Sequence, residues 1–103
     1  MLTPTTLIRL KDVPAHTTDM ERSDLPKWSG KDPVPAIGQS IYVRINRIGA
    51  AKVVGYAIDC GYLGVLAYPL DPPPWWVKQN GPSSPENAPL VFGAELQVLK
   101  QEA

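Results

Sequence analysis

Ser40-Ile41-Tyr42-Val43-Arg44-Ile45-Asn46-Arg47-Ile48 is the run whose reading decides the fold. Ile41, Val43 and Ile45 fall on one side of an extended chain and Tyr42, Arg44 and Asn46 on the other, the period of two that marks a half-buried strand. After a break at Gly49-Ala50-Ala51, the run Lys52-Val53-Val54-Gly55-Tyr56-Ala57-Ile58-Asp59-Cys60 is rich in β-branched and aromatic residues, which fit a pleated surface better than a helix. Val54, Tyr56, Ile58 and Cys60 share one face of that second strand. Gly55 removes a side chain mid-strand, as at a sharp bend or a close backbone approach. Gly61-Tyr62 then turns the chain into Leu63-Gly64-Val65-Leu66-Ala67-Tyr68, with Leu66 and Tyr68 on one face and Leu63, Val65 and Ala67 on the other. Three strands joined by tight turns make an antiparallel meander.

Working outward from residues 40–68, the chain after Tyr68 reads Pro69-Leu70-Asp71-Pro72-Pro73-Pro74-Trp75-Trp76-Val77-Lys78-Gln79-Asn80-Gly81. Asp71 suits a helix cap, prolines are tolerated in a first turn where amide donors lack partners, and Asn80-Gly81 supplies a left-handed stop. This predicts a short helix of one or two turns within a loop spanning 69–89. In 90–99 the alternation is good on both sides of Gly93 but slips at that glycine, as a bulge bending one closing strand would require. Residues 100–103 are polar and are expected to fray.

On the other side, Thr5-Thr6-Leu7-Ile8-Arg9-Leu10-Lys11 alternates weakly and predicts a short first strand over 6–11, within a segment 1–12. Residues 13–39 form an irregular arm punctuated by Pro14, Pro26, Pro33 and Pro35, with Trp28 as the natural anchor. Thr18-Asp19-Met20-Glu21 fits a capping box, and Pro26 stops any helix begun there. Structureless loops longer than about 12 to 15 residues are uncommon in compact domains unless they are functional or disordered. The arm is read first as a wrapping element and second as a functional one.

Five strands (6–11, 40–48, 52–60, 63–68 and 90–99) with one helical turn before the last predict an all-β, mainly β domain: a small, strongly bent antiparallel barrel. Its plan is similar to that of SH3-like barrels, with an OB-type barrel as the alternative. The similarity is one of plan; no motif of either family is matched residue by residue.

The 103 residues suit a single domain, and the 12 prolines lower the helix expected. Ten basic and ten acidic residues balance, although 33–58 holds Arg44, Arg47 and Lys52 with no acid. Three charges are a thin footprint for nucleic acid, whose binding draws most of its affinity from counterion release. The single cysteine, Cys60, cannot form an internal disulfide, so a reducing, cytoplasmic setting is the default. No apolar run approaches the roughly 20 residues that span a bilayer, and no leader pattern opens the chain, so the expectation is a soluble, unprocessed protein.

No catalytic set emerges. His16, the sole histidine, sits in the arm; Cys60 reads as a small buried hydrophobe at a strand end; Asp59 has no partner carboxylate for acid–base work. Neither a metal nor a cofactor is expected. Two binding constellations stand out. Tyr42, Arg44 and Arg47, on or beside the polar face of the 40–48 strand, are suited to stacking on bases or pairing with carboxylates. Trp75 and Trp76 follow three prolines that fix the backbone and reduce the ordering cost of binding. Because adjacent side chains diverge, one ring is expected to anchor and the other to be exposed.

The leading expectation is a non-enzymatic module for protein–protein interaction, with an unidentified protein as partner. A nucleic-acid-binding barrel using Tyr42, Arg44, Arg47 and Lys52 is the alternative. A small barrel with a long arm and no evident chemistry is also the type of accessory protein that phages and other mobile elements encode.

Overall fold

The computed structural model describes residues 6–8, 13–22 and 24–99, with the backbone alone for 6–8. The elements are β1 (Thr6–Ile8), β2 (Ser40–Val43), β3 (Gly49–Asp59), β4 (Tyr62–Pro69), α1 (Pro74–Asn80), β5 (Leu90–Phe92) and β6 (Leu96–Val98). Two 3-10 turns, Pro85–Asn87 and Gly93–Glu95, complete them. The fold is mainly β: an antiparallel sheet in the order β5-β4-β3-β2-β6, with β1 added beside β3. The expected continuation of the first strand through 9–11 and the expected fraying of 100–103 lie outside the described residues.

β3 is the spine. Its first half pairs with β2, Ile41 facing Ala51 and Tyr42 facing Ala50, and farther along the same edge β1 takes over at Tyr56 to Ile58. Its other edge carries β4. The ladder shifts register between Val53 and Gly55, which leaves Val54 as a bulged residue. A bulge reverses which parity faces inward. Ala51 and Val53 point into the core before it, Tyr56 and Ile58 after it. The sequence reading placed Val54 with Tyr56; the bulge gives the inward position to Val53 instead. Tyr56 is fully buried, and its hydroxyl donates to the Pro35 carbonyl at 2.7 Å.

Both hairpin turns recruit left-handed residues that alternation assigns to strands, Asn46-Arg47 in the first and Cys60, beside the expected Gly61, in the second. β2 ends at Val43, not at Ile48, and the chain reverses through Asn46 (φ 55°) and Arg47 (φ 59°), with the Ile48 N–H donating to the Ile45 carbonyl. Positive φ at both central residues is what a type I′ turn requires. Gly49 to Ala51, expected as the break, already belongs to β3. Between β3 and β4 the turn is Cys60 (φ 52°) and Gly61 (φ 79°), with Asp59 facing Tyr62. Cys60 is therefore an exposed turn residue and not a buried strand end.

The sheet is not closed into a barrel. β5 pairs with β4 and β6 with β2; the two do not pair with each other. The chain between them makes a 3-10 turn at Gly93–Glu95 in place of the expected bulge, which cuts the 90–99 segment into two strands of three residues each. The arm occupies the gap. The Lys27 amide donates to the Gly61 carbonyl and the Lys27 carbonyl accepts from Leu63, which fastens the arm beside β4. Trp28 is 2% exposed and joins the core cluster. A methyl on Gly93 would stand 2.3 Å from the Gly30 nitrogen, so arm and turn cross in backbone contact. Asp32 then reaches β6, where its Oδ2 accepts from the Val98 amide. Within the arm, Thr17 bridges to Lys27, and the expected capping box is instead a single turn in which Thr17 and Asp19 bond nearby amides.

Helix α1 begins after Pro73, which occupies the cap position expected of Asp71 and makes no side-chain cap bond. It ends at Gly81 (φ 82°), whose amide bonds the Val77 carbonyl.

Candidate binding surfaces

The face of the sheet turned away from the core gathers exposed aromatic and aliphatic side chains. The register sets Gln97, Tyr42 and Ala50 side by side across β6, β2 and β3. The Leu70 amide donates to the Ala50 carbonyl, which extends that row one strand farther. Tyr42 is 47% exposed and Leu70 49%. A methyl built on Gly49 would lie 3.9 Å from Tyr42 Cε2, so the ring leans across a strand position that has no side chain. The next row holds Ser40, Lys52 and the half-buried Tyr68.

α1 starts four residues beyond Leu70 and separates its two tryptophans as neighbouring helical positions must. Trp76 is 3% exposed and belongs to the core cluster; Trp75 is 40% exposed, and Val77 is also at the surface. Trp76 anchors the helix, and the polyproline segment before it limits how far Trp75 can move.

The basic residues of the 40–48 run do not act together. The Arg44 guanidinium donates through Nη2 to the carbonyls of Ala94 (2.8 Å) and Leu96 (3.3 Å), which ties it to the far side of β6. Arg47 lies in the turn beyond the end of β2. Lys52 stays exposed on the outer face, and neither Lys52 nor Arg47 makes an ion pair among the described residues.

A second surface feature escaped the sequence reading. Ser29, Asp59, Cys60, Tyr62 and Phe92 line a shallow, largely apolar cleft of about 320 Å³ at the tip of the β3–β4 hairpin. Asp59 and Cys60, assigned by alternation to opposite faces, meet there because Cys60 is a turn residue. The Tyr62 hydroxyl stands 3.9 Å from Met20 Sδ, so the arm contributes to its rim. The left-handed turn at Cys60-Gly61 creates this arrangement; Gly61 marks a turn in the sequence, but alternation assigns Cys60 to the strand.

In the arm, the Arg22 guanidinium hydrogen-bonds the Asp24 carboxylate, raising the pKa of Arg22 and lowering that of Asp24. Both are fully exposed, so the pair adds little to stability. His16 Nδ1 lies 2.8 Å from the Pro14 carbonyl. Among the described residues no three His, Cys, Asp or Glu side chains gather as a metal site, and no helix is long and apolar enough to cross a membrane. The chain matches no protein-family model, no curated protein and no solved structure.

Proposed function

We propose that the protein is a non-enzymatic interaction module that binds a segment of another protein across the outer face of the sheet. The observation that carries this reading is the exposure of Tyr42, Leu70 and Trp75 on rigid elements, two in one cross-strand row and the third on the helix that follows it. Exposed aromatics held by a fixed backbone lose little entropy on contact and dominate the energetics of interfaces. The unpaired cations Lys52 and Arg47 favour a partner segment carrying a carboxylate, since rim charges set orientation and encounter rate. In plan we read the sheet as an open relative of SH3-like barrels: β3 is long and bulged, and the 90–98 segment runs through a 3-10 turn from one end of the sheet to the other. A reducing cytoplasmic setting accords with the solitary exposed Cys60.

A nucleic-acid role would rest on Tyr42, Arg44, Arg47 and Lys52, but Arg44 spends donors on two carbonyls and the remaining cations are few. The test is a pull-down from lysate with and without nuclease, using the parent, Tyr42→Ala and Trp75→Ala, alongside direct titration with DNA and RNA. The expected result is a partner that survives nuclease and is lost from both folded variants. Low-micromolar binding of any DNA or RNA at about 0.15 M salt, flattening with Arg47→Ala and Lys52→Ala, would replace this reading with the nucleic-acid one.

A further inference from the structure

A sheet that does not close keeps strand edges, here β5 and β6 at the ends of its main path, and exposed edges are templates for pairing with another chain. Between β2 and β6 the Arg44 amide donates to the Glu95 carbonyl and the Leu99 amide to the Ser40 carbonyl, so by alternation Leu96 and Val98 direct their backbone groups away from β2. Those outward groups are met by side chains. The Val98 N–H donates to Asp32 Oδ2 at 3.0 Å, and the Leu96 carbonyl accepts from Arg44 Nη2. Just upstream, the Ala94 carbonyl accepts from the same Nη2 at 2.8 Å and the Ala94 N–H donates to Ser29 Oγ at 3.0 Å. Lys31, Asp32 and Arg44 all line a small polar cleft against Leu96 and Gln97.

The β5 edge is treated the same way. Ala67 donates to the Pro89 carbonyl, so Val91 continues that bonding toward β4 and Phe92 turns outward; its N–H is taken by Glu95 Oε1 at 3.0 Å. Charged side chains thus occupy, at the β5 and β6 edges, positions that an added strand would use.

We infer that Asp32 and Arg44 at the β6 edge, with Glu95 at the β5 edge, are edge guards that keep this open sheet from pairing strand to strand with a second copy of the chain. The guard is local and polar, so its removal exposes a ready ladder without removing core. β6 then adds antiparallel to β6 of a second molecule, the Val98 N–H supplying the donor and the Leu96 and Val98 carbonyls the acceptors, since the Leu96 N–H stays on the Gly93 carbonyl.

The experiment is sedimentation of the parent and of Asp32→Ala/Arg44→Ala across a concentration series, with circular dichroism to confirm the β fold. The double variant is expected to self-associate at least about tenfold more tightly than the parent, the scale set by one lost charge-assisted bond per copy. A folded double variant whose association equals the parent's overturns the inference. Should the double variant fail to fold, Asp32→Ala alone is followed by amide exchange at Val98. That amide is expected to exchange about tenfold faster than in the parent when dilute and to regain protection as concentration rises; exchange that does not depend on concentration contradicts the guard. Asp32→Asn, which keeps an acceptor oxygen, is expected to restore the parent's behaviour.

Discussion

The β3–β4 hairpin and the arm each sink a large aromatic ring into the same core, Tyr56 in one and Trp28 in the other, yet the two are fastened differently. The hairpin is held by a ladder from Ala51–Pro69 to Asp59–Tyr62, interrupted only by the bulge at Val54. The arm is held at separated points: Lys27 on β4, Gly30 against Gly93, and Asp32 on β6. A ladder distributes stability along the chain, so losing one rung costs little. Point fastening concentrates it, so loss of a packed contact such as Trp28 or the Gly30–Gly93 crossing should be severe, while loss of the single Asp32 bond costs only about one hydrogen bond.

Trp28→Ala sharpens that contrast most. Removing a buried ring costs roughly 3 to 5 kcal/mol, and here it also empties the gap between β5 and β6. Chemical denaturation should show a loss of that size, with Trp76→Ala close behind and Trp75→Ala within about 1 kcal/mol of the parent. Equal losses at Trp75 and Trp76 would make the pair a structural plug and remove Trp75 from the candidate surface.

Gly93→Ala comes next. Its new methyl would meet Gly30 backbone at 2.3 and 2.8 Å as well as the Trp28 indole, and backbone does not swing aside as a flexible side chain does. Overpacking of this kind costs about 1 to 3 kcal/mol. Gly61→Ala has open space around it, so its loss, read by the same denaturation series, should come only from the left-handed φ of 79°. A Gly93→Ala protein as stable as the parent would show that the arm does not press on the 3-10 turn.

The division between ladder and point fastening also explains how far the sequence could be read. Residues 63–68 were legible as a strand because a short apolar run follows the Gly61-Tyr62 turn signal, and they coincide with β4, which runs Tyr62–Pro69 and is buried along most of its length. The split of Trp75 and Trp76 was legible from helical geometry, although which ring is buried was not. The end of β2 was illegible: Ile45 is partly buried and Ile48 buried, so the apolar rhythm runs on through a turn whose residues, Asn46-Arg47, lack the glycine that usually marks one. The parity switch at Val54 and the barrel's failure to close depend on how distant segments meet. The same holds for the cleft at Cys60, and for Arg44, whose role is set by carbonyls some fifty residues later. Local periodicity carries none of that.

The smallest expected effect tests one of those turns. Arg47 holds φ at 59°, a conformation that costs a side-chain-bearing residue about 1 to 2 kcal/mol. Arg47→Gly should relieve that strain at some cost in chain entropy, for a net gain of about 0.5 to 1 kcal/mol. Destabilisation on that substitution would mean that the Arg47 side chain makes a contact worth more than the strain.

The central claim is that the arm completes an open sheet and is part of the cooperative fold. Native-state hydrogen exchange reads this directly, by comparing the amides of Thr17, Lys27 and Trp28 with those of Gly64 and Leu66, which face β3 across the hairpin ladder. The account predicts that all five exchange only through global unfolding, with one shared opening free energy. Arm amides that open by about 2 kcal/mol less than the hairpin's, a roughly thirtyfold faster exchange, would contradict it.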